Sequence, residues 1–399
     1  MLKHRLYRTY TAGLKIAALI LPMPRPTLFS GPGSMNELLE SMTELGFKRV
    51  LLVTDEGLVQ VGIVDKVLKA AAQLDLQLDI FSKVQPDPTY DQVESGLEAY
   101  HRFHCEGILA LGGGSAMDCA KVIAAKVTNK RPIKKLAGLL KVWRMPAPLF
   151  AIPTTAGTGS EVTIAAVVSD PSSHIKTPPL MDPKLVPLMA ALDANLMIGL
   201  PPKITADTGV DALTHAIEAY VSRNATQETR AYSVAAIKLI FKYLPRVVAQ
   251  GGDDVEARHK MAMASYYAGL AFTKASLGYV HAFAHTFGAK YGIPHGMANG
   301  LALLPVLRFS LSEIEPQLRK LDALTAEGQS GEASAQHFLT HVESLFASID
   351  IKQKSALIKR EDADALVDLI LKEAHWNYPV PKFMSREECT QLLLDISTV

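Results

Sequence analysis

Cysteine is scarce in this chain, with three among 399 residues. Cys105, Cys119 and Cys389 have neither metal-binding spacing nor the pattern of a disulfide framework, so they read as reduced structural thiols. Net charge is nearly absent too: 41 Lys and Arg against 40 Asp and Glu leave +1, which excludes a general polyanion binder. Aromatic residues make up only 7% and are not interleaved with basic ones, so single-stranded nucleic acid is not an expected partner. No apolar run reaches the ~18–20 residues needed to cross a membrane. With 48% hydrophobic and 20% charged residues, the chain is not a disordered polymer. Its length suits two or three domains with sizeable cores, and the whole composition fits a globular cytoplasmic protein.

Acidic residues are missing locally in two places. Between Lys121 and Arg144 there is no Asp or Glu. That run reads mainly as a solvated helix face and loop, with some capacity to steer an anionic cofactor. Residues 1–25 contain Lys3, Arg5, Arg8, Lys15 and Arg25 but no acid, and include the apolar run Ile16–Leu21. A transit-peptide-like or membrane-surface helix is one reading. The run is short for a secretory core, so an N-terminal extension packed on the protein is the expectation.

The pattern beyond it has two halves. Leu28–Ser34 reads as strand then turn, and Ser34 with Glu37 reads as a capping box for a helix over Met35–Leu45. Strand candidates at 50–54, 78–81, 107–111 and 149–152 alternate with helical stretches near 57–74, 89–104 and 115–128. Such alternation predicts a parallel, Rossmann-like α/β domain over 1–200, which the glycine and threonine segments described next mark as dinucleotide-binding. After Pro202 the chain changes to amphipathic helices near 205–222, 228–249, 254–274 and 276–291, with a late helix capped by Ser385 and Glu388. An all-α domain over 201–399 is therefore expected, with the boundary at Gly199 and Pro201-Pro202, and the histidines taken up below mark it as the metal and substrate domain.

Three segments point to a nucleotide. In Gly107–Asp118 an apolar strand runs into Gly112, Gly113 and Gly114, and Ser115 opens a helix. Glycines let backbone N–H groups approach a phosphate, and the helix N-terminus adds partial positive charge, although a tight turn also uses glycine. The usual G-x-G-x-x-G fingerprint fails at Met117, and no acid lies between Asp118 and Glu161 to bind the ribose. Asp55, at the end of Val50–Asp55, is the substitute: it would bind the adenosine ribose and favour NAD over NADP, or it is an ordinary N-cap. Asp118 contacts the cofactor, fixes the glycine loop, or stabilises the helix first turn. The loop Ala151–Thr163 offers Thr154, Thr155, Thr158 and Ser160 as hydroxyl donors. Lys176 is a further candidate, and Asp193 either reaches the nicotinamide end or caps the next turn.

Four residues suggest a metal. Asp211 and His215 share a helix face at i, i+4. His281 begins a helical stretch ending at Gly292 and Pro294, and the turn can return His295 toward it. Three imidazoles and a carboxylate suit iron or zinc, and such an ion acts as a Lewis acid on a substrate oxygen. Singly, each histidine is more often a satisfied core or surface residue. Glu218 lies on the His215 face, as a partner of the ligands or in a surface salt bridge. His285, one turn beyond His281, is either a proton relay or a packing residue.

These motifs together resemble the iron-containing, or group III, alcohol dehydrogenases. The resemblance rests on Gly112–Asp118, Pro153–Glu161, Gly209–Tyr220, His281-x-x-x-His285 and Pro294-His295-Gly296, and runs from about Pro26 to the C-terminus. It implies that Asp211, His215, His281 and His295 are the metal ligands, Fe²⁺ or Zn²⁺. It implies that the glycine loop binds the pyrophosphate of NAD, with NADP possible, and that His285 lies near the nicotinamide without being a ligand. A homodimer acting on a small alcohol or aldehyde is implied as well. The expected chemistry is hydride transfer between a metal-activated alcohol oxygen's carbinol and nicotinamide, in a cleft between the domains. Phe283 departs from the smaller side chain frequent there and is expected to reshape the substrate pocket. The competing reading is a dehydroquinate synthase-like or glycerol dehydrogenase-like enzyme on a polyol. The ligand region has Lys274 and Lys290 but not the cationic cluster a phosphorylated polyol needs, and a silent nucleotide-binding protein would not need all four ligands.

Overall fold

The computed structural model describes residues 6–9, 11–13, 23–171, 178–251, 254–325 and 332–398. The apolar run Ile16–Leu21 and Lys176 lie outside the described residues. Two compact units are present. One takes Pro22–Leu200 with Gly252–Ala262, the other Met1–Leu21, Pro201–Gly251 and Met263–Val399. Two short segments thus depart from a single cut after Leu200.

The first unit is built as β1 (Thr27–Ser30), α1 (Ser34–Glu44), β2 (Arg49–Val53), α2 (Glu56–Gln60), α3 (Ile63–Ala72), β3 (Gln77–Phe81), α4 (Tyr90–Arg102), β4 (Gly107–Gly112), α5 (Gly114–Thr128), α6 (Ile133–Leu136), β5 (Gly138–Leu139), β6 (Leu149–Pro153), β7 (Ala165–Ala166), β8 (Leu180–Met181) and β9 (Met189–Leu192). Six strands form a sheet in the order β1-β9-β6-β4-β2-β3, parallel throughout. The strands β5, β8 and β7 form a small second sheet.

Period-two alternation sends the side chains of the central strands into two separate cores. Leu51, Val53, Ile108, Ala110, Leu149 and Ala151 face one core, closed by α4 and α5. Val50, Leu52, Leu109, Leu111, Phe150 and Ile152 face the other, closed by α1 and α3. Both faces being covered is why these strands read as continuous apolar runs. Truncating one of them, such as Leu109 to alanine, costs about 2–5 kcal/mol.

Local differences from the sequence reading have simple causes. The 57–74 helix is broken in two at Gly62, which takes φ 73. The Ser34 capping box does not form: α1 begins at Ser34, its N-cap is Gly33 at φ 89, and the Ser34 hydroxyl has no hydrogen-bond partner. Asp193 does that work from 158 residues away, its Oδ2 accepting from the Met35 N–H at 3.3 Å while Oδ1 accepts from Asn195. Asp193 is thus a buried cap.

The second unit is helical: α7 (Pro202–Val221), α8 (Gln227–Gln250), α9 (Val255–Ala275, whose first turns belong to the first unit), α10 (Tyr279–Tyr291), α11 (His295–Thr325), α12 (Ala335–Ser348), α13 (Ala363–Asn377) and α14 (Arg386–Ile396). The Ser385–Glu388 capping box is present. At Gly209 an added Cβ would lie 2.3 Å from Leu244 Cδ1, so α7 and α8 touch through glycine. The described part of the N-terminal segment packs here, with Tyr7 edge-on to Trp376 at 4.8 Å and Arg8 over Phe383. Among the described residues no helix is long and apolar enough to cross a membrane.

Candidate metal centre and cofactor loops

Helix α7 starts with Pro202 in its first turn, where a missing N–H costs nothing. Nine and thirteen residues on, it buries Asp211 and His215. Helix α10 starts after Gly278, whose N–H, like that of Val280, donates to the Glu218 carboxylate. Gly292 at φ 66 ends α10 in the left-handed conformation, and the chain turns so that His295 becomes the first residue of α11. A Cβ on Gly296 would fall 2.0 Å from the Asp207 carbonyl oxygen, so only glycine lets α11 begin against α7.

Three ring nitrogens converge on one carboxylate oxygen. The Nε2 atoms of His215, His281 and His295 lie 3.6, 3.7 and 3.4 Å from Asp211 Oδ1. All four donor atoms lie within 4.8 Å of one another. Donors around a tetrahedral ion with bonds of ~2.0–2.2 Å stand ~3.3–3.6 Å apart, so the spacing is that of ligands around a shared ion. The Nε2 of His281 is buried with no hydrogen-bond partner, an orphan that an ion would satisfy. These residues make a site for a divalent metal ion. Burial opposes ionisation of Asp211, but the imidazoles of His215, His295 and His281 outweigh it and hold the carboxyl well below the usual range. Burial likewise pulls His281 down, and the Asp211 and Glu218 carboxylates reverse this and lift it to about 9.

Three of the four are held by further groups. His281 Nδ1 shares a 2.6 Å hydrogen bond with Glu218 Oε2, which fixes which ring nitrogen faces the site. Glu218 is buried and makes no surface salt bridge. His215 is stacked between Phe272 at 4.2 Å and His281 at 4.6 Å. Asn299 donates through Nδ2 to Asp211 Oδ1 at 2.7 Å. The sequence reading missed Asn299, although its position four residues after His295 on one helix was a usable signal.

His285 is not a fifth member of this set. Its ring stacks on His295 at 5.3 Å, and its Nδ1 shares a 2.6 Å bond with Glu373 Oε1. The Tyr378 hydroxyl donates to the same oxygen at 2.7 Å. Burial lowers the pKa of His285 while Glu373 opposes, so the imidazole is mainly neutral at pH 7. Glu373 and Tyr378 were not legible in the sequence, because they approach His285 only through the tertiary fold. Phe283 corrects an expectation: it is fully buried and edge-on to Phe287, a core residue with no surface on a pocket.

The nucleotide candidates sit at the carboxyl ends of β2, β4 and β6, where the strand order reverses between β2 and β4. Gly112 has φ 149, open only to glycine, and an added Cβ there would be 3.6 Å from Asp55 Oδ2. Asp55 caps α2, accepting from the Leu58 N–H at 3.0 Å. Added Cβ atoms on Gly113 and Gly114 would meet Thr155 at 3.3 Å and Thr158 at 2.7 Å. The Thr154 N–H donates to the Gly112 carbonyl, so the two loops form one surface, with Ser115 half-buried beside them. The α5 N-terminus has no side-chain cap and no acid in its first turn. It leaves N–H groups for an anion.

Ser160, buried at the end of the threonine loop, and Asp118, half-buried on α5, are tied to each other. The Ser160 hydroxyl donates to Asp118 Oδ1 at 2.9 Å, and Asp118 Oδ2 accepts from the Val167 N–H at 2.9 Å. Lys121, expected on a solvated face, is fully buried. Burial pulls its ammonium down to about 8 against the pull of Asp118 and Glu161.

The comparisons with known proteins agree with this geometry. Residues 25–194 match the family described as iron-containing alcohol dehydrogenase, and residues 205–397 match the C-terminal part of the same family. Alcohol dehydrogenase 4 of Schizosaccharomyces pombe is 40% identical over 94% of this chain and 87% of its own. A crystal structure of a 1,3-propanediol oxidoreductase superposes with TM-score 0.89 at 35% identity, covering 94% of this chain and 100% of that one. Sulfoacetaldehyde reductase from Bifidobacterium kashiwanohense, solved in complex with NAD⁺, gives 0.86 at 28% identity over 95% of this chain and 99% of that one. On its sequence, its sheet order and its histidine–aspartate site, this chain belongs to the iron-containing alcohol dehydrogenase family.

Proposed function

We propose that the protein is a metal-dependent, NAD-linked alcohol dehydrogenase and aldehyde reductase for a small alcohol. The observation that carries this reading is the convergence of three imidazole nitrogens on Asp211 Oδ1. Asp211, His215, His281 and His295 would hold a divalent ion, Fe²⁺ or Zn²⁺, which would supply a Lewis acid for the substrate oxygen, and NAD would supply the hydride acceptor. The residues divide the remaining work. Gly112, Gly113, Gly114 and Ser115 receive the pyrophosphate through backbone N–H groups. Asp55 takes the adenosine ribose hydroxyls and repels a 2′-phosphate, and Thr154, Thr155 and Thr158 line the same path. His285 relays the alcohol proton, a reading supported by its hydrogen bond to Glu373. The relative solved with NAD⁺ supports the choice of cofactor. A division after Leu200 into cofactor and metal domains, a homodimer, and a cytoplasmic location with three reduced thiols complete the proposal.

The test is metal replacement under anaerobic conditions. Protein is stripped, Fe²⁺ or Zn²⁺ is added, and reduction of NAD⁺ or NADP⁺ is followed with a panel of alcohols. Activity that returns with metal and is lost in His281→Ala is the expected result. Bound metal and nucleotide with no turnover on any alcohol or aldehyde would overturn it.

A further inference from the structure

The basic run that follows α5 is closed into a loop by Asn129, buried at the end of that helix. Its Oδ1 accepts from the Trp143 and Arg144 N–H groups at 3.1 and 3.0 Å, and its Nδ2 donates to the Arg144 carbonyl at 3.2 Å. The Thr128 hydroxyl donates to the Met145 carbonyl at 2.7 Å. Loop ends held together in this way, over a stretch packed by its own side chains, make an Ω-loop. Its inner side puts Ile133, Leu136 and Val142 into the core shared with α4 and α5. Its outer side shows Leu139, Leu140, Trp143 and Met145 to solvent, Trp143 being 72% exposed and Met145 64%.

Single exposed apolar residues need no explanation, but four in one loop mark a contact surface. They are held in place rather than left free. Leu140 sits in the left-handed region at φ 56, unfavourable for leucine, with its N–H donating to the Met181 carbonyl at 2.8 Å. The Arg131 guanidinium lies 4.0 Å over the Trp143 ring. Around them Lys130, Lys134, Lys135, Lys141 and Arg144 are exposed, and none pairs with a carboxylate among the described residues. By contrast Lys126, on α5 itself, is paired with Glu94 at 3.0 Å. No Asp or Glu lies between Asp118 and Glu161 to offset the charge from within the sequence. A second copy of the chain is a poor occupant, because the loop facing itself across a twofold axis would set cation against cation. An acidic protein segment would meet the cations but has no use for the apolar tips. An anionic lipid surface satisfies both, since its phosphates attract Lys and Arg while Trp, Leu and Met enter the headgroup layer.

We propose that the loop over 130–145 is a docking surface for membranes rich in anionic lipid, with Leu139, Leu140, Trp143 and Met145 entering the interface and the surrounding cations meeting the phosphates. The contact is superficial and reversible, since the loop offers four apolar tips and no spanning segment. It is independent of the metal and cofactor residues, none of which belongs to this loop.

Flotation of the full-length protein with lipid vesicles tests it. At low salt the protein should float with phosphatidylcholine vesicles containing about one-third phosphatidylserine, and not with phosphatidylcholine alone. About 0.5 M salt should release it. Replacing Lys134 and Lys135 together by glutamine should lower the partition coefficient about 30-fold, roughly fivefold for each lysine, with an unchanged melting temperature. Brominated acyl chains should quench Trp143, and Trp143→Phe should lose that quenching although Trp376, the other tryptophan, remains. If the double variant does not fold, this quenching difference decides. Wild-type protein that stays unbound on anionic vesicles at low salt would overturn the proposal, as would wild-type partitioning in the folded double variant. Binding to polyglutamate without binding to vesicles would assign the surface to an acidic protein instead and overturn the lipid reading.

Discussion

Asn299 donates a 2.7 Å hydrogen bond to Oδ1 of Asp211, the same oxygen on which the three imidazole nitrogens converge. The two residues are 88 positions apart, on α11 and α7. Both are buried, and the amide oxygen of Asn299 has no hydrogen-bond partner, so the side chain serves chiefly as a donor to the carboxylate. A carboxylate rotates freely about its last torsion unless something fixes it. Asn299 fixes Asp211, as Glu218 fixes His281.

Removing that donor should loosen the centre without removing a ligand. Asn299→Ala is expected to weaken metal binding about 10- to 100-fold, and Glu218→Gln should do likewise by unfixing His281. Competition with a chelator of known affinity measures this directly. Wild-type metal affinity in both variants would show that these partners are incidental.

Gly296 makes a sharper stability prediction. Its missing Cβ admits the Asp207 carbonyl oxygen at a point 2.0 Å from where that atom would stand. Backbone cannot swing aside as a side chain can, so Gly296→Ala must separate the start of α11 from α7. A loss of about 1–3 kcal/mol or more is expected. Because His295 precedes it, metal retention should fall as well. Thermal unfolding and metal analysis of the variant check both, and a melting temperature within a degree of wild type would contradict the packing described.

The thiols should be nearly inert. Burial pushes Cys105, Cys119 and Cys389 up to about 12 each. At pH 8 a thiol with such a pKa is thiolate in about one molecule in ten thousand. A chromogenic disulfide reagent should therefore modify the native protein slowly and release three thiols only after denaturation. Because each pKa is raised, reactivity grows as pH climbs toward 12 and vanishes as it falls. Fast modification of any cysteine in native protein would show that it is not sealed as described.

Local periodicity explains what could be read before the fold was seen. Asp211 and His215 are one helical turn apart on α7, and runs such as Val50–Val53 and Ile108–Leu111 announce strands covered on both faces. Strand β9 escaped because Met-Ala-Ala-Leu has no β-branched residue and spans only four positions. Lys121 was misread because a lysine in a basic run is ordinarily solvated, and only the Ser160–Ala165 acceptors pull it inside. Asp193 capping α1 and Glu373 holding His285 are tertiary facts, set by which elements pack together. No local pattern near either residue carries them.

Glu373 matters for the same reason that it was hidden. It accepts from His285 Nδ1 and from the Tyr378 hydroxyl through one oxygen, so it sets both the tautomer and the tilt of the imidazole. With Nδ1 as donor, Nε2 is left with a lone pair able to take a proton. Glu373→Gln can present its amide the wrong way round, and Glu373→Ala removes the acceptor altogether. Glu373 touches none of the four ligands' donor atoms, so metal content should be unchanged while kcat falls about 10- to 100-fold, most in the alanine variant. Tyr378→Phe should cost less, since it leaves the carboxylate in place. If His285 only packs against its neighbours, Glu373→Gln will keep wild-type kcat. If metal content falls in step with activity, Glu373 serves the metal centre rather than the relay.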